Sequence, residues 1–199
     1  MFNSYKYIDP DYTYTDRKTG ILRNLQDISD PDVLLFVESG AVTKRLQELY
    51  DNPKQIKGID SLFEIHRHLF QDIYLWAGKK RIVEISKDGK QFFPTSHFNQ
   101  AFRYIDQLIP EFKNIPKENK RKLAEKLAEI LDNVNYLHPF REGNGRTQRE
   151  FLRLLSLEKG LSLNLNPPDK KSVYERYMKG TIESELETLT ELIFELIDT

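Results

Sequence analysis

The sequence predicts a mostly α fold, a helical bundle with one β-hairpin, in a single domain spanning residues 1–199. Apolar residues recur in steps of three and four through most of the chain, the pattern of helices with one buried face. Alternation of apolar and charged residues, which is typical of a strand, is confined to residues 79–94. The chain has 199 residues, of which 39% are hydrophobic, enough to fill the core of one domain.

An irregular arm and two helices are predicted before the hairpin. Residues 1–28 are polar and rich in tyrosine, and we expect them to form the arm. A helix is predicted over residues 29–50, with Pro31 in its first turn and Gly40 within it. The next stretch, "IDSLFEIHRHLFQDIYLWAG", predicts a second helix that ends on Gly78.

The hairpin is predicted from "KKRIVEISKDGKQFFP", in which Asp88-Gly89 has the composition of a tight turn. Helices are then predicted over residues 98–112 and 117–137. Pro139 ends the second of these, because a proline pushes the residue before it out of the helical conformation.

Two helical stretches are predicted in the last quarter of the chain. One begins near Arg146 and runs through Leu155. The other follows a Pro167-Pro168 loop and continues from Ser172 to the end as one amphipathic stretch.

Composition excludes several classes of function. The 30 Lys and Arg against 31 Asp and Glu leave a net charge of −1, so global charge attracts neither nucleic acid nor an anionic membrane. There is no cysteine, which excludes disulfides and thiolate metal sites. No apolar run reaches the length of a membrane span, and the P-loop pattern is absent. We therefore expect a cytoplasmic protein.

The stretch "HPFREGNGRTQREF", residues 138–151, concentrates groups suited to phosphate chemistry. A Gly-Asn-Gly turn ahead of a helix can direct backbone N–H groups and the positive helix end at an anion. Arg146 and Arg149 are three residues apart, so both project from one face of that helix. Glu142 supplies an oxygen ligand for Mg²⁺ bound to phosphates, and His138 is a base that titrates near neutrality. We read Phe140 as a structural anchor that pins the loop to the core.

Each of these features has a simpler interpretation when taken alone. The arginines could form a solvated, salt-bridged helix face, the glycines could form a plain turn, and His138 could be an ordinary helix-end histidine. Their conjunction favours a site, because no single structural role requires all of these residue types. We predict no zinc site at His66 and His68, which face different sides of a helix, and we place His97 in a loop.

These residues also carry a family resemblance. The string "HPFREGNGRTQR" resembles the signature of the Fic family, HPF-x-[D/E]-G-N-G-R-x-x-R, and matches it at every specified position. "LWAGKKRIVEISKDGKQFFP" resembles the family's flap, a hairpin that clamps the target segment, and "TYTDRKTGILRNL" resembles the arm of the small Fic toxins. The resemblance covers residues 10–195 and is strongest over 75–155.

The resemblance implies a helical Fic fold that transfers AMP from ATP to a Tyr, Ser or Thr hydroxyl of a target protein, with release of pyrophosphate. By position, His138 would be the general base and Glu142 would hold Mg²⁺ between the α- and β-phosphates. Arg81, Ile82 and Val83 in the flap would align the target by strand pairing.

The resemblance also implies the contacts to the nucleotide. The backbone of the glycine loop would form the anion hole, and the Asn144 side chain would reach a phosphate. Arg146 would contact the β-phosphate region and Arg149 the γ-phosphate. The expected nucleotide-binding residues are Gly143, Asn144, Gly145, Arg146, Thr147, Gln148 and Arg149.

Other functions on the same fold stay open. The Doc branch transfers a γ-phosphoryl group and has a lysine at the last glycine of the motif, where this chain has Gly145. Transfer of UMP or phosphocholine is a further alternative, because the phosphate loop does not read the base. A catalytically silent nucleotide-binding domain is disfavoured, because His138 and Glu142 are both present.

The small toxins that this chain resembles modify the ATPase subunits of DNA gyrase and topoisomerase IV, which are therefore the expected targets. Fic proteins are commonly restrained by a helix with the pattern [S/T]-x-x-x-E-[G/N], whose glutamate pairs with the second motif arginine. The best match here is Thr181 to Glu185, but Leu186 follows where Gly or Asn is required. We therefore expect a separate small antitoxin that carries the motif.

Overall fold

The computed structural model describes residues 5–9, 11–87, 89–167 and 169–197. Seven α-helices lie in this part of the chain: α1 Pro31–Asp51, α2 Asp60–Phe70, α3 Phe98–Asn114, α4 Lys120–Leu137, α5 Asn144–Leu157, α6 Lys171–Glu183 and α7 Leu186–Leu196. Three short strands, β1 Tyr5–Ile8, β2 Glu84–Lys87 and β3 Lys90–Gln91, form an antiparallel sheet in the order β1-β2-β3. The predicted mostly helical fold is confirmed. None of the described helices is both long and apolar enough to cross a membrane.

Helix α4 is the centre of the bundle and packs against α3, α5 and α7. Its apolar stripe, including Leu123, Leu127 and Ile130, is fully buried, as its spacing predicts. The Asn119 side chain caps its first turn by accepting a hydrogen bond from the backbone N–H of Lys122. The loop that follows this helix, residues 138–143, carries the predicted site residues His138 and Glu142, so it is attached to a helix with a fully buried face.

Helix α2 ends at Phe70, eight residues before the predicted end at Gly78. The following residues form turns, and Ile73 and Trp76 stay buried in them. Gly78 has a φ of +75°, and a Cβ there would lie 2.6 Å from the Cβ of Arg67. The chain therefore folds back onto α2, where consecutive turns preserve a helix-like spacing of buried residues.

The C-terminal stretch forms two helices where one was predicted. Ser184 adopts the left-handed conformation, with φ of 53°, and separates α6 from α7. The two helices pack closely at Gly180, where a Cβ would lie 2.5 Å from the Cδ2 of Leu189. The glycine permits this close return of the chain.

The arm is more ordered than the sequence predicts. Its residues 5–8 form strand β1, which pairs with β2 of the hairpin. Further along the arm, Tyr14 is buried with its ring edge against Trp76, and its hydroxyl accepts a hydrogen bond from the N–H of Ile82 at 3.2 Å. The arm is thus attached to the base of the hairpin.

The predicted hairpin over 79–94 is present, but its strands are shorter than that range. Strand pairing is limited to 84–87 and 90–91, and Asp88 of the predicted turn lies outside the described residues. Lys90 donates a hydrogen bond to the carbonyl of Ile182 at 3.1 Å, which ties the hairpin tip to the end of α6.

Candidate active site

A cavity of about 390 Å³ lies between the hairpin, the start of α5 and helix α6. This volume is within the range of about 300–1,000 Å³ that is usual for small-molecule sites. Its walls bring together residues that are far apart in the sequence: Lys87, Lys90 and Phe92 of the hairpin, His138 and Glu142 of the α4–α5 loop, Arg146, Gln148 and Arg149 of α5, and Tyr174, Tyr177 and Met178 of α6.

His138 lies where α4 ends, in the left-handed conformation with φ of 43°. Its backbone N–H donates to the carbonyl of Val134 at 3.1 Å, and its ring stacks on Phe92 at 3.9 Å. The ring Nδ1 lies 3.1 Å from the carbonyl oxygen of Asn135. A carbonyl can only accept, so Nδ1 carries the proton and Nε2 carries the lone pair. This tautomer makes Nε2 the basic atom.

The pKa of His138 lies far below that of an exposed histidine. Burial lowers the pKa of His138 to about 3, and the charges of Arg81 and Lys87 act in the same direction. The imidazole is therefore neutral at physiological pH and able to accept a proton.

The glycine loop depends on Gly143. Its φ is +82°, and a Cβ at this position would lie 2.4 Å from the Cζ of Phe70. Helix α5 begins at the next residue, so its first N–H groups have no carbonyl partner within the helix. These groups and the positive helix end are suited to binding an anion, which is the role that the sequence predicts for the loop.

Asn144 differs from the expectation that its side chain would reach a phosphate. Its Oδ1 accepts the N–H of Phe140 at 3.0 Å, and its Nδ2 donates to the Phe140 carbonyl at 2.9 Å. The side chain is buried, and its two hydrogen bonds to Phe140 close the loop. Of Asn144, only the backbone N–H can therefore contribute to an anion site. The Phe140 ring is fully buried, in agreement with its predicted role as an anchor.

His66 is a supporting residue that the sequence did not point to. It stacks on the Phe140 ring at 3.8 Å, and its Nδ1 accepts the N–H of Gly78 at 2.8 Å. Nε2 therefore carries the proton and donates to the carbonyl of Glu142 at 3.0 Å. Burial lowers the pKa of His66 to about 3, so the ring stays neutral. Its donor and acceptor hold the catalytic loop against α2.

Glu142 presents its carboxylate at the cavity, with the side chain about one-third exposed. Its Oε1 accepts the N–H of Gly143 at 3.0 Å and lies 3.9 Å from the Arg146 guanidinium. Among the described residues, no group of three acidic or histidine side chains could hold a metal alone. One carboxylate fits Mg²⁺ only together with phosphate oxygens, which is how proteins commonly bind this ion.

Arg146 is held from behind by a buried pair on other elements. Its guanidinium lies 2.6 Å from the Oε1 of Glu38 on α1, and it packs over the Phe70 ring. The other carboxylate oxygen of Glu38 accepts a hydrogen bond from the Tyr74 hydroxyl. Glu38 and Tyr74 thus fix Arg146 at the cavity wall, and neither is visible as a site residue in the sequence.

Arg149 projects into the cavity without an ion pair to any carboxylate in the part of the chain that the structure describes. Its guanidinium lies over the rings of Tyr174 and Tyr177, at 5.4 and 5.3 Å from their centroids. Since no carboxylate of the described residues pairs with it, the guanidinium is positioned to bind an anionic ligand.

Thr147 and Gln148 differ in their suitability for nucleotide binding. Thr147 is fully buried, its hydroxyl donates to the carbonyl of Gly143 at 2.9 Å, and it does not line the cavity. Gln148 does line the cavity, and its Nε2 donates to the Tyr177 hydroxyl and to Asn135. The Oε1 of Gln148 is buried and has no hydrogen-bond partner in the described structure.

The flap residues require a correction. Arg81 and Val83 were expected to align a target, but both are buried. Arg81 donates to the carbonyls of His138 at 2.8 Å, Val83 at 2.7 Å and Phe93 at 2.6 Å, so it fastens the hairpin base to the catalytic loop. Ile82 is exposed, but its N–H bonds to the arm. Strand pairing in the hairpin begins further along the chain, at β2, which is the central strand of the sheet and pairs with both β1 and β3.

The site therefore combines a neutral histidine base, a helix N-terminus, two arginines and one carboxylate around a cavity with an aromatic wall. A helix N-terminus with convergent arginines binds phosphates. A base beside bound phosphate can activate a hydroxyl for attack on phosphorus. The arrangement is suited to transfer of a phosphate-containing group from a nucleotide to an alcohol or phenol.

Comparison with known proteins places these residues in a family context. Residues 55–156 match the model of the Fic/DOC family. The chain is 34% identical over 185 residues to protein adenylyltransferase VbhT of Bartonella schoenbuchensis, a match covering 90% of this chain and 37% of VbhT. It is 33% identical over 168 residues to the probable protein adenylyltransferase y4lH of Sinorhizobium fredii, covering 83% of this chain and 84% of y4lH.

The fold is also shared with solved structures. The crystal structure of BepC from Bartonella tribocorum, which contains bound AMPPNP, superposes with a TM-score of 0.80. The match covers 94% of this chain and 97% of the BepC chain, at 19% sequence identity. At this identity the similarity establishes the architecture only.

Proposed function

The chain belongs to the Fic/DOC family, and we propose that it is a protein adenylyltransferase. It transfers AMP from ATP to a hydroxyl side chain of a target protein and releases pyrophosphate. The observation that carries this proposal is the position of a neutral His138 beside an anion-binding helix N-terminus, within one cavity. The names of the relatives VbhT and y4lH support the same reaction.

ATP fits the cavity with its phosphates at the start of α5. The backbone N–H groups of Asn144 and Gly145 and the guanidinium of Arg146 face the α- and β-phosphates, and Arg149 orients the γ-phosphate. The purine ring of ATP lies against Tyr174 and Tyr177, at the aromatic wall of the cavity. BepC, which shares this fold, was crystallised with bound AMPPNP, and this supports a nucleotide as the ligand.

Glu142 is the residue that would hold Mg²⁺, because it is the acidic side chain at the cavity. The ion would neutralise charge that develops on the leaving pyrophosphate. The protein contributes the position of the carboxylate, which the Gly143 N–H and His66 fix through the loop.

In the transfer step, Nε2 of His138 accepts the proton of the target hydroxyl. The hydroxyl oxygen then forms a bond to the α-phosphorus, and the bond between the α-phosphorus and the bridging oxygen breaks. Pyrophosphate leaves with that oxygen. The hydrogen bond from Nδ1 to Asn135 keeps the ring in the tautomer this step requires.

Incubation of the chain and a bacterial lysate with ATP labelled at either the α- or the γ-phosphate tests the reaction. We expect proteins to retain the α label and not the γ label, and chelation of Mg²⁺ to prevent labelling. Retention of the γ label would instead establish phosphoryl transfer.

Phosphoryl transfer of the Doc type is disfavoured by the geometry at Gly145. A Cβ at this position would lie 3.3 Å from the Arg149 guanidinium. A lysine there would displace Arg149 and repel its charge, and would thus remake the γ-phosphate site. Transfer of UMP or phosphocholine would use the same loop. Addition of an unlabelled donor of UMP or phosphocholine should not reduce labelling from ATP if the chain is specific for AMP transfer.

The proposed targets are cytoplasmic proteins with an accessible Tyr, Ser or Thr. The resemblance to small Fic toxins makes the ATPase subunits of DNA gyrase and topoisomerase IV the first candidates. Mass spectrometry of α-labelled proteins in a lysate identifies the target and the modified residue. A modified set that excludes both enzymes would overturn this choice while leaving the reaction intact.

The proposed inhibitory partner is a small antitoxin that supplies a glutamate to Arg149. A groove of about 440 Å³ between α1 and α5 exposes Arg149, with Ser39, Thr43 and Tyr50 along its other side. Within the chain, the carboxylate of Glu185 bonds to the Thr188 hydroxyl at 2.7 Å, away from Arg149. Expression of the chain alone should slow growth. A large rise in transfer on Glu185→Gly would show an internal brake instead.

A further inference from the structure

Arg146 and Arg149 border two different spaces in the structure. Both line the cavity that contains His138, and both also line the groove of about 440 Å³ between α1 and α5. No other described residue lines the cavity and the groove together. The two guanidinium groups therefore stand between these spaces, at the place where the β- and γ-phosphates of ATP bind in the proposed complex.

Contacts between α1 and α5 give the direction of this groove. At one end, Arg146 lies 2.6 Å from the Oε1 of Glu38. At the other end, Arg153 donates to the carbonyl of Leu49 at 3.2 Å and lies 4.0 Å from the centroid of the Tyr50 ring. The two helices therefore run side by side in the same direction, and the groove leads from Arg146 toward Arg153.

The groove attracts anions, but the helix end that is suited to binding phosphates lies outside it. Among the described residues that line the groove, three are arginines and Glu150 is the only acidic one. The Glu150 carboxylate pairs with Arg153 at 2.7 Å, which reduces the charge at the far end. Gly143 and Gly145, at the start of α5, line the cavity and not the groove. Positive charge thus draws an anion into the groove without a helix N-terminus to retain it.

The geometry of the transfer step sends the leaving group toward this groove. In a displacement at phosphorus, the attacking and leaving oxygens lie roughly in line on opposite sides of the phosphorus atom. The attacking hydroxyl is beside Nε2 of His138, so pyrophosphate departs on the far side, toward the two arginines.

The side of the cavity next to His138 is covered while the target is bound. Phe92 of the hairpin stacks on the His138 ring at 3.9 Å, and Lys90 ties the hairpin tip to the Ile182 carbonyl at 3.1 Å. The bound target adds to this cover. Pyrophosphate that leaves before the target must therefore pass the arginines.

We propose that the groove between α1 and α5 is the exit for pyrophosphate, which leaves the cavity past Arg149 and moves along α1 toward Arg153. This inference rests on the proposed AMP transfer and adds the route of its second product. Arg149 is suited to let the product pass, because it is half-buried and packs on the rings of Tyr174 and Tyr177. The transfer step has already broken the bond to the α-phosphorus, so the exit needs no further covalent step.

Thr43 offers a position at which the exit can be closed. It is exposed on α1 and lines the groove but not the cavity. Its hydroxyl donates to the carbonyl of Ser39 at 2.8 Å, so Thr43→Trp removes one exposed hydrogen bond and places an indole in the groove beyond the arginines. Gln47→Trp is the matched control, since Gln47 is exposed one turn later on α1 and does not line the groove.

The test compares the time courses of the two products. The purified full chain, in excess over α-labelled ATP, is mixed with Mg²⁺ and a purified acceptor, the protein that α-labelling of a lysate identifies. The label on the acceptor reports transfer, and a phosphate sensor coupled to added pyrophosphatase reports pyrophosphate in solution. Calorimetric titration of each variant reports its affinity for ATP.

In the unaltered chain and in Gln47→Trp, pyrophosphate should appear in solution together with the label. In Thr43→Trp, transfer should keep its rate within about twofold, whereas pyrophosphate should appear about tenfold or more slowly, because its path is obstructed. The affinity for ATP should not change, since Thr43 does not line the cavity.

Three results would overturn the exit: release that keeps pace with transfer in Thr43→Trp, an equal delay in Gln47→Trp, or a loss of ATP affinity or of transfer as large as the delay. In the last case the indole would act on ATP and not on the path of the product. Absence of transfer by the unaltered chain would instead overturn the proposed function on which the exit rests.

Discussion

At the scale of single residues, His138 is set up as a base by its surroundings. Its Nδ1 is bound to the Asn135 carbonyl, and burial lowers the pKa of the ring to about 3. An exposed histidine would be half protonated near pH 6.5 and would lose base catalysis below that value. In this site the lone pair on Nε2 persists well into the acidic range.

This difference gives a prediction for the pH profile. Between pH 8 and pH 6, kcat/KM for AMP transfer should show no fall centred near 6.5, because this parameter reports ionisations of the free enzyme. Rates measured in the presence of saturating Mg²⁺ and a fixed target provide the check. A tenfold loss between pH 7 and pH 5.5 would mean that His138 titrates as an exposed group.

Replacement of Gly143 combines two losses of stability, from backbone strain at a positive φ and from overlap with Phe70, and comparison with Gly89 separates them. Gly143→Ala places a Cβ at a φ of +82°, at about 1–2 kcal/mol, and also drives it into the Phe70 ring. Gly89 has the same φ, but a Cβ there would meet nothing within 4 Å. We expect Gly143→Ala to lower the free energy of unfolding by at least about 1 kcal/mol more than Gly89→Ala, because overpacking adds to strain. Urea unfolding of the two variants measures the difference, and equal losses would contradict the packing account.

At the scale of elements, the buried guanidinium of Arg81 joins the hairpin to the catalytic loop. It donates to the carbonyls of His138, Val83 and Phe93, and it pairs with Glu84 at 3.2 Å. The hairpin has few hydrogen bonds of its own, since β3 has only two residues. Its position over the cavity therefore depends on contacts with the rest of the chain, and the Arg81 side chain makes several of them.

Replacement of Arg81 should loosen the hairpin. Arg81→Met leaves buried carbonyls without donors, and we expect a loss of about 3 kcal/mol in the free energy of unfolding. Hydrogen exchange of the β2 and β3 amides should speed up. The exposed neighbouring change Ile82→Ala should alter the free energy of unfolding by less than about 0.5 kcal/mol. Unchanged exchange in the Arg81→Met protein would show that other contacts hold the hairpin.

The elements differ in how far the sequence could predict them. Helices α3, α4 and α5 were predictable because each has a complete apolar stripe. In addition, Pro139 and Gly143 mark the loop between α4 and α5. The early end of α2 was not, because the turns after Phe70 preserve the spacing of a helix. Strand β1 is four residues long, too short for a recognisable alternation of apolar and polar residues. It forms a strand because it pairs with β2, which the sequence does not reveal.

The same distinction holds for the site. His138, Glu142 and the two arginines lie within twelve consecutive residues, so local order made them recognisable. The supports of that segment lie far away in the sequence and were missed. Glu38 reaches Arg146 from α1, and His66 reaches the loop from α2, and each is an ordinary buried polar residue until the fold brings it there.

At the scale of the whole molecule, buried neutral histidines link stability to pH. Burial lowers the pKa of His66 and of His138 to about 3, and it also lowers the pKa of His68. Below pH 6.5 the unfolded chain binds protons at His66 and His138, and the folded chain does not until the pH approaches 3. The contribution of these histidines to the free energy of unfolding is therefore fully present above about pH 6.5. It is lost progressively as the pH falls toward 3.

We predict that the free energy of unfolding falls between pH 6.5 and pH 5 by up to about 1.4 kcal/mol per pH unit for each fully buried histidine. Denaturant titrations at a series of pH values measure the slope. The variant His66→Gln should have a shallower slope, since it retains hydrogen-bonding groups but cannot titrate. An unchanged slope in this variant would contradict the neutral state assigned to His66.

The central claim is that one cavity binds ATP through α5 and transfers its AMP through His138. The most direct measurement combines calorimetric titration of ATP with α-label transfer, for the unaltered chain and for His138→Ala. The account predicts that the variant binds ATP with little change in affinity, because the imidazole serves the hydroxyl and not the phosphates. Transfer should fall by at least about 10²-fold, as expected for loss of a general base. Retained transfer, or loss of ATP binding together with transfer, would contradict it.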